Sequence, residues 1–221
     1  MKNRLEPLEG LSNLSLRPLC FLAFRICTMS LSSPLRDHVC AFDVCILYYV
    51  DGIGETDWIS LSLADLYSEF SVLCSAVSEI CSDQSCPVMK SRGDLVYYWA
   101  DLSSSEHSRP ELVSSRRYME LLMSWADNFL NRISEGTADN PAGAFNIDTK
   151  IFCRRFFRVY AHLFCEHTCA LIPAEKHLRY SLFHFIIFMR EFNLLVSLRD
   201  AEPLLHIINS FGIPNLHFPS D

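Results

Sequence analysis

The 221-residue chain has no apolar run long enough to cross a membrane, because no stretch reaches about 18 uninterrupted apolar residues. It has only seven glycines, and none stands in the G-x-G-x-x-G or G-x-x-x-x-G-K pattern of phosphate-cradling loops. An excess of positive charge is also missing, since the net charge is −7 and the pI is about 5.6. These absences argue against a transmembrane protein, against a nucleotide-binding enzyme with either of these glycine-rich loops, and against a dedicated nucleic-acid binder.

Half of the residues are apolar and 16 are phenylalanine, which is ample material for a packed core. The ten cysteines stand mostly inside helical patterns beside leucine and phenylalanine, where a free thiol behaves as a small hydrophobic side chain. The start of the chain lacks the features of a secretory signal. We therefore expect a reduced protein of the cytoplasm, with the nucleus left open as a second location.

The hydrophobic pattern divides the chain into three parts. Residues 1–50 show no sustained period, and we expect an irregular N-terminal extension there. Residues 51–212 carry strong helical periodicity and are predicted to form one mostly α-helical domain, a helical bundle with one short β-hairpin. Residues 213–221 are expected to be a C-terminal tail.

The first predicted helix follows Gly54, with Thr56 as its capping residue. Its apolar residues recur at alternating spacings of four and three and form one stripe: Ile59, Leu63, Leu66, Phe70, Leu73, Val77 and Ile80. The segment 88–100 reads as the hairpin, with its turn at 91–94 and a strand-like run at 95–99.

Four further helices are predicted downstream. The second opens at Ser114 or Ser115 and turns Tyr118, Leu121, Leu122, Trp125 and Phe129 inward. A loop at 140–143 separates it from the third helix, expected from about Asp148 to Phe164. The fourth is placed at about 174–192, and the last runs from Asp200 to just before Gly212.

A first chemical pattern combines two cysteines with two histidines. Cys81 and Cys86 are separated by four residues, as are His162 and His167. Two thiolates and two imidazoles suit a closed tetrahedral zinc site with a structural role, which leaves no open position for catalysis. Five positions on a helix separate two side chains by roughly 140°, so the helix must end or distort there. The alternatives are Cys165 as a ligand in place of His167, or no metal and simple core packing.

A second pattern is the cluster Arg154, Arg155 and Arg158, predicted to lie on one face of the third helix. The opposite face is filled by Cys153, Phe156, Phe157, Tyr160, Ala161 and Phe164. One interpretation is a solvated face paired with carboxylates. The other is a pocket for a phosphorylated peptide, since arginine forks bind phosphate oxygens bidentately.

Several strings in fixed order resemble the Mob kinase activator family, over roughly two thirds of the chain from Asp57 to Ile208. They are Asp57-Trp58-Ile59, Glu79-Ile80-Cys81-x4-Cys86-Pro87-Val88-Met89, Tyr98-Trp99-Ala100-Asp101, Tyr118-Met119-x-x-Leu122-Met123-Ser124-Trp125, Arg155-x-Phe157-Arg158-Val159-Tyr160-Ala161-His162 and His184-Phe185-x3-Phe188-x-x-Glu191-Phe192-Asn193-Leu194. The chain looks closest to the branch that activates NDR/LATS-type kinases.

The resemblance implies a role for each pattern. The zinc ligands of the family fall on Cys81, Cys86, His162 and His167, and its phosphopeptide pocket on Arg154, Arg155 and Arg158. Its acidic kinase-facing surface includes Asp57, with Glu55 as a neighbour, and binds a basic segment N-terminal to the kinase domain. The regulatory threonines that the family carries near its N-terminus are not recognisable in residues 1–34.

The resulting prediction is a non-catalytic adaptor, because no nucleophile elbow or protease signature frames the histidines and serines. It would activate an NDR/LATS-type (AGC) kinase and hold a phosphorylated upstream kinase or scaffold. The alternative within the same family is a phocein-like scaffold subunit of a striatin–phosphatase complex, without kinase activation.

Overall fold

A computed structural model of the protein describes residues 54–93, 95–101, 107–134, 142–171 and 175–220. Within these ranges the chain forms six α-helices and one 3-10 turn, Glu202–Leu204. The helices are α1 (Glu55–Val77), α2 (Ser115–Ser134), α3 (Ala142–Glu166), α4 (Glu175–Glu191), α5 (Leu198–Ala201) and α6 (Leu205–Ser210). The prediction of a mostly helical domain is confirmed. The N-terminal extension predicted for residues 1–50 lies outside the described residues.

Helix α1 buries the predicted apolar stripe, with Leu63, Leu66 and Phe70 in the core and Ile59 partly buried. The helix begins earlier than expected, and Thr56 is not its cap: the amide of Trp58 donates to the carbonyl of Gly54 at 2.9 Å. Acidic side chains stabilise a first turn through the helix dipole, and Glu55 and Asp57 both stand there. The helix therefore includes them.

Helix α2 begins as predicted, since the Ser114 hydroxyl accepts a hydrogen bond from the Arg117 amide at 3.1 Å. Its inward residues include Tyr118, Leu122 and Trp125, all buried. Helices α1 and α2 pack against each other, and α2 also packs against α3. Helix α3 also contacts α1 through Phe156 and Phe70 and α4 through Tyr160 and Phe185, so it lies among the other long helices.

Helix α3 begins at Ala142, six residues before the predicted start at Asp148. The loop was predicted from the run Asn140-Pro141-Ala142-Gly143, and Gly143 and Asn146 are poor helix formers. The contact between the rings of Phe145 and Phe129, 6.5 Å apart, supports the additional turn. Tertiary packing thus outweighs the weak local propensity.

The core is built on aromatic rings from α1, α2 and α3. Phe152 and Phe156 stack at 3.9 Å between centroids, and Phe70 lies 4.3 Å from Phe156 and 5.3 Å from Tyr160. Burying each such ring contributes about 1.5–3 kcal/mol relative to exposure. These rings fix the position of α3, and with it the site residues on that helix.

The predicted hairpin is reduced to isolated antiparallel bridges, and the described residues contain no longer strand. Lys90 pairs with Val96 across a turn in which Gly93 has a φ of 71°. A second bridge joins Trp99 to Glu111. The turn stands where the pattern placed it, whereas the second bridge was not foreseen.

The last predicted helix is divided. Ser197 caps α5 by accepting the Asp200 amide, so α5 begins before the predicted start at Asp200. Pro203 follows within a 3-10 turn before α6 ends near Gly212. Beyond α6 the chain packs back, because the Leu198 amide donates to the Pro219 carbonyl at 2.8 Å. Among the described helices, none is long and apolar enough to span a bilayer.

Candidate metal centre and arginine cluster

The two cysteines of the first pattern stand in the turn that follows α1. The Cys81 amide donates to the Val77 carbonyl at 2.8 Å, and the Cys86 amide donates to the Ser82 carbonyl at 2.9 Å. The Ser85 hydroxyl donates to the Ile80 carbonyl at 2.8 Å and tightens the same turn. These local hydrogen bonds direct both sulfur atoms to one side.

The two histidines come from the end of α3. His162 lies inside the helix, and His167 lies directly after its last residue, Glu166. The His167 amide still donates to the Leu163 carbonyl at 3.1 Å. The expectation that the helix must end at this point is confirmed, because the end lets both rings turn towards the cysteines.

The four side chains converge on a single buried point, with one donor atom each and all donor atoms within 4.8 Å of one another. Cys81 Sγ lies 3.3 Å from His162 Nε2, and Cys86 Sγ lies 3.2 Å from His167 Nε2. The edges of a tetrahedral zinc site with such ligands are about 3.3–3.8 Å, from the Zn–N and Zn–S bond lengths. The arrangement fits a metal ion at its centre.

A backbone carbonyl fixes the orientation of one imidazole. His162 Nδ1 donates to the Lys90 carbonyl at 2.7 Å, which leaves the lone pair of Nε2 directed at the centre. Lys90 belongs to the bridge with Val96, so that bridge supports the metal group indirectly.

Burial favours the uncharged forms of His162 and Cys81. It lowers the pKa of His162 to about 4 and raises the pKa of Cys81 to about 12, the latter with a further contribution from Cys86. Uncharged donors pack in a core at low cost, and a bound cation would displace the thiol protons. In the described part of the chain, the metal group contains His167 and neither Cys165 nor Cys169.

The arginines of the second pattern do not share one environment. Arg154 is 55% exposed and Arg158 is 23% exposed. Both approach Asp200: Arg154 Nε lies 3.2 Å from Oδ2, and Arg158 Nη2 lies 3.9 Å from Oδ1. Arg158 also lies over the ring of Tyr97 at 5.2 Å. These two guanidinium groups form the accessible part of the cluster.

Arg155 is buried, which corrects the prediction of one face shared by all three arginines. Its guanidinium lies 4.3 Å from the ring of Trp99 and 4.3 Å from the ring of Trp125. Nη2 donates to the Ala100 carbonyl at 2.5 Å. Because α3 is surrounded by other elements, the position one step from Arg154 already faces the core.

The cluster retains donors without acceptors in the described part of the chain. Arg155 Nη1 and Arg158 Nε are both buried without a well-aligned acceptor there, although the Tyr118 hydroxyl lies close to Arg158. Buried donors without partners are uncommon, and each calls for an explanation. An anion bound between the guanidinium groups would provide acceptors for them.

The acidic residues predicted to face a kinase lie elsewhere. Glu55 and Asp57 are exposed in the first turn of α1. No described hydrogen bond or ion pair connects either carboxylate with the arginine cluster. The acidic surface at Glu55 and Asp57 and the arginine cluster are therefore not connected by polar contacts among the described residues.

Sequence reasoning missed Asp200, Trp99 and Trp125 as partners of the arginines. The two tryptophans stand in recognisable strings, but a string does not show which arginine its ring will contact. Asp200 was assigned only to a helix start. Its pairing joins residues 42 or more positions apart, and no local pattern carries that information.

The fold and this site define a mostly helical domain with a buried Cys2His2 group. The family model for the Mob1/phocein family matches residues 51–204, so the chain belongs to that family. It is 33% identical over 162 residues to MOB kinase activator 3C of Bos taurus and, equally, of Homo sapiens, covering 69% of this chain and 72% of each relative.

Fungal relatives match over a similar range. The DBF2 kinase activator protein MOB1 of Saccharomyces cerevisiae is 32% identical over 163 residues, 71% of this chain and 51% of the relative. The maintenance of ploidy protein mob1 of Schizosaccharomyces pombe is 29% identical over 165 residues. The predicted family is confirmed, and with it the prediction of a regulatory, non-catalytic protein.

Proposed function

We propose that this protein is an adaptor that activates a kinase of the NDR/LATS type. Two of the reported relatives are named MOB kinase activator 3C, and a third is named DBF2 kinase activator protein MOB1. The observation that carries the proposal is the pair of independent polar surfaces, one acidic at Glu55 and Asp57 and one basic at Arg154 and Arg158. Two such surfaces suit a protein that joins two partners.

Zinc is the proposed occupant of the Cys2His2 group. Thiolate and imidazole ligands in a tetrahedral arrangement favour zinc over calcium or magnesium, which prefer oxygen ligands. Four protein ligands would leave no position for water or substrate, so the ion would stabilise the fold rather than catalyse a reaction. Cys81, Cys86, His162 and His167 would hold it.

The acidic surface is the proposed docking site for a basic segment N-terminal to the kinase domain. Charge complementarity contributes orientation and association rate more than affinity, so apolar contacts would supply much of the binding energy. The position of Glu55 and Asp57 in the first turn keeps both carboxylates exposed and accessible.

The arginine cluster is the proposed site for a phosphorylated peptide of an upstream kinase or scaffold. Arg154 and Arg158 would contact the phosphate oxygens, because both are accessible at least in part. Arg155 would contribute its buried positive charge and its unpartnered Nη1 from beneath. A phosphate group carries about −1.5 to −2 charges and three acceptor oxygens, which matches this supply of donors.

The test is a calorimetric titration of the zinc-loaded protein with the N-terminal regulatory segment of an NDR-type kinase from the same organism. We expect micromolar or tighter binding that weakens as salt rises. A folded, zinc-containing sample that does not bind would contradict kinase activation. The phocein-like scaffold of a striatin–phosphatase complex would then be the function to test.

A further inference from the structure

Asp200 occupies the centre of the proposed phosphopeptide site. Its two carboxylate oxygens approach different arginines, with Oδ2 at 3.2 Å from Arg154 Nε and Oδ1 at 3.9 Å from Arg158 Nη2. The carboxylate is only 18% exposed. One internal anion therefore lies where the proposed function places the phosphate.

The backbone holds Asp200 in this position. Its amide donates to the Ser197 hydroxyl that caps α5, and α5 packs against α3. The Ala201 amide donates to the Ser197 carbonyl at 2.9 Å and continues the same turn. The carboxylate is therefore presented to the arginines at a high effective concentration, on the order of millimolar or above.

Asp200 does not provide acceptors for all the hydrogen-bond donors of the arginine cluster. The contact with Arg158 is long, and in the described ranges Arg155 Nη1 is buried without an acceptor, while Arg158 Nε has none of good geometry beyond the nearby Tyr118 hydroxyl. One carboxylate offers a single charge and two oxygens to three guanidinium groups. A phosphate monoester offers a larger charge and one more oxygen.

We propose that Asp200 is an internal competitor of the phosphate and sets the affinity threshold of the site. This inference rests on the proposed phosphopeptide function. An incoming anion must displace the carboxylate, or bind beside it against its charge, and either event costs free energy. A dianionic phosphate recovers that cost through the additional donors.

An acidic peptide without phosphate meets the same cost and gains less. Its carboxylate repeats the contacts that Asp200 already makes, and it lacks the advantage of being tethered to the fold. Asp200 thereby excludes weak anionic ligands. The residue raises the threshold for all anions equally, so it need not change the ratio of affinities between them.

The experiment measures the binding of a short phosphothreonine peptide, and of inorganic phosphate, to the zinc-loaded wild type and to Asp200→Asn. We expect the variant to bind the peptide about five- to thirty-fold more tightly, the range for removing one or two partly buried ion-pair contacts. The matched control is Glu202→Gln, because Glu202 is exposed, lies two positions away and loses the same charge. Its affinity should change less than about two-fold.

Three outcomes overturn the inference. If the wild type binds the peptide and Asp200→Asn binds it equally or more weakly, Asp200 orients the arginines and the proposed function survives. If Glu202→Gln tightens binding as much, general charge explains the effect. If Asp200→Asn and a second variant, Asp200→Ser, both fail to fold, Asp200 is a structural residue rather than a displaceable one.

Failure of the proposed function gives a different result. In that case neither protein binds the phosphothreonine peptide, and inorganic phosphate decides the inference alone. Phosphate that raises the melting temperature of Asp200→Asn but not of the wild type supports the competitor role. Phosphate that affects neither protein overturns it together with the proposed function.

Discussion

Arg155 lies between the rings of Trp99 and Trp125, whereas Arg154, one position earlier, is 55% exposed and bonds to Asp200. Two arginines at neighbouring positions of α3 thus have different physical roles. At Arg155 the cation–π contacts and the hydrogen bond to Ala100 hold a charge inside the core. At Arg154 the charge remains available to a ligand.

The first prediction separates these roles. Arg155→Ala should lower the free energy of unfolding by about 2–4 kcal/mol, because it removes two stacked contacts and leaves a cavity. Arg154→Ala should change it by less than about 0.5 kcal/mol, since the residue is largely exposed. Urea unfolding followed by circular dichroism measures both. Equal losses from the two substitutions would show that Arg155 does not support the core.

The sequence could place these arginines on α3 but could not assign their environments. The apolar stripe of a helix predicts one buried face when the other face meets solvent. Phe152, Val159 and Leu163 are buried although the predicted stripe omitted them, so α3 is enclosed on most sides. Under that condition the faces of a helix cannot be separated by periodicity alone.

At the scale of elements, α3 connects both sites. Its middle carries the arginine cluster, its last turns carry His162, and His167 follows directly after its last residue. The turn after α1 and the bridge at Lys90 meet the same end. Substitutions that shift α3 are therefore expected to affect both sites, whereas substitutions at the start of α2 should affect only stability and the metal group, because the Ser115 amide donates to the Cys86 carbonyl.

The second prediction concerns that start. Ser114→Ala should cost about 1 kcal/mol, because its hydroxyl caps α2 by accepting the Arg117 amide. The same hydroxyl donates to Asp83, so the substitution also loosens the turn between the cysteines. Ser124→Ala is the matched control, exposed on the same helix and expected to change stability by less than about 0.5 kcal/mol. Equal midpoints in urea for the two variants would contradict the cap.

Element boundaries were predictable where a local signal exists and not where packing decides. Ser114 is a local signal, and α2 begins at the predicted point. The start of α3 depends on the packing of the Phe145 ring against Phe129. This contact joins two helices, and no capping residue in the local sequence predicts it. The Cys2His2 group was predictable because two cysteines and two histidines, each pair separated by four residues, are recognisable in the sequence as metal ligands. The choice of His167 over Cys165 was not, because it depends on where α3 ends.

At the scale of the molecule, the Cys2His2 group connects two segments that are far apart in the sequence. Cys81 and Cys86 come from the turn after α1, and His162 and His167 come from the last turns of α3 and the residue after it, 81 positions later. A bound ion would join these two segments through coordination bonds. Three pairs of donor atoms lie 3.2 to 3.3 Å apart, close enough for a single ion to bind all four side chains. Much of the stability of the domain should depend on the metal.

The third prediction is that metal removal destabilises the whole domain. Chelation, or the substitution Cys86→Ala, should lower the melting temperature by roughly 10–20 °C, which corresponds to a loss of about 5 kcal/mol at this size. Cys169→Ser is the control, because Cys169 is exposed and outside the metal group. A metal analysis of the purified protein should find one zinc ion per chain. An unchanged melting temperature after complete chelation would assign the cluster to core packing.

The fourth prediction tests whether the two polar surfaces act independently. Asp57→Lys should weaken binding of the kinase segment at least about ten-fold, since it reverses a charge on the acidic surface, and should leave phosphopeptide affinity within about two-fold. The double substitution Arg154→Ala with Arg158→Ala should have the converse effect. Arg155 is left intact, because its loss would unfold part of the core and confuse affinity with stability.

Calorimetry with each ligand, on variants of equal melting temperature, measures both affinities. Independence is expected because no described polar contact links Glu55 or Asp57 to the arginines, and α1 and α3 meet through apolar rings. If each substitution weakened both ligands equally, the rings of Phe70 and Phe156 would be the path to test for coupling. Such a result would replace two docking surfaces with one shared interface, and the adaptor would then hold its partners one at a time.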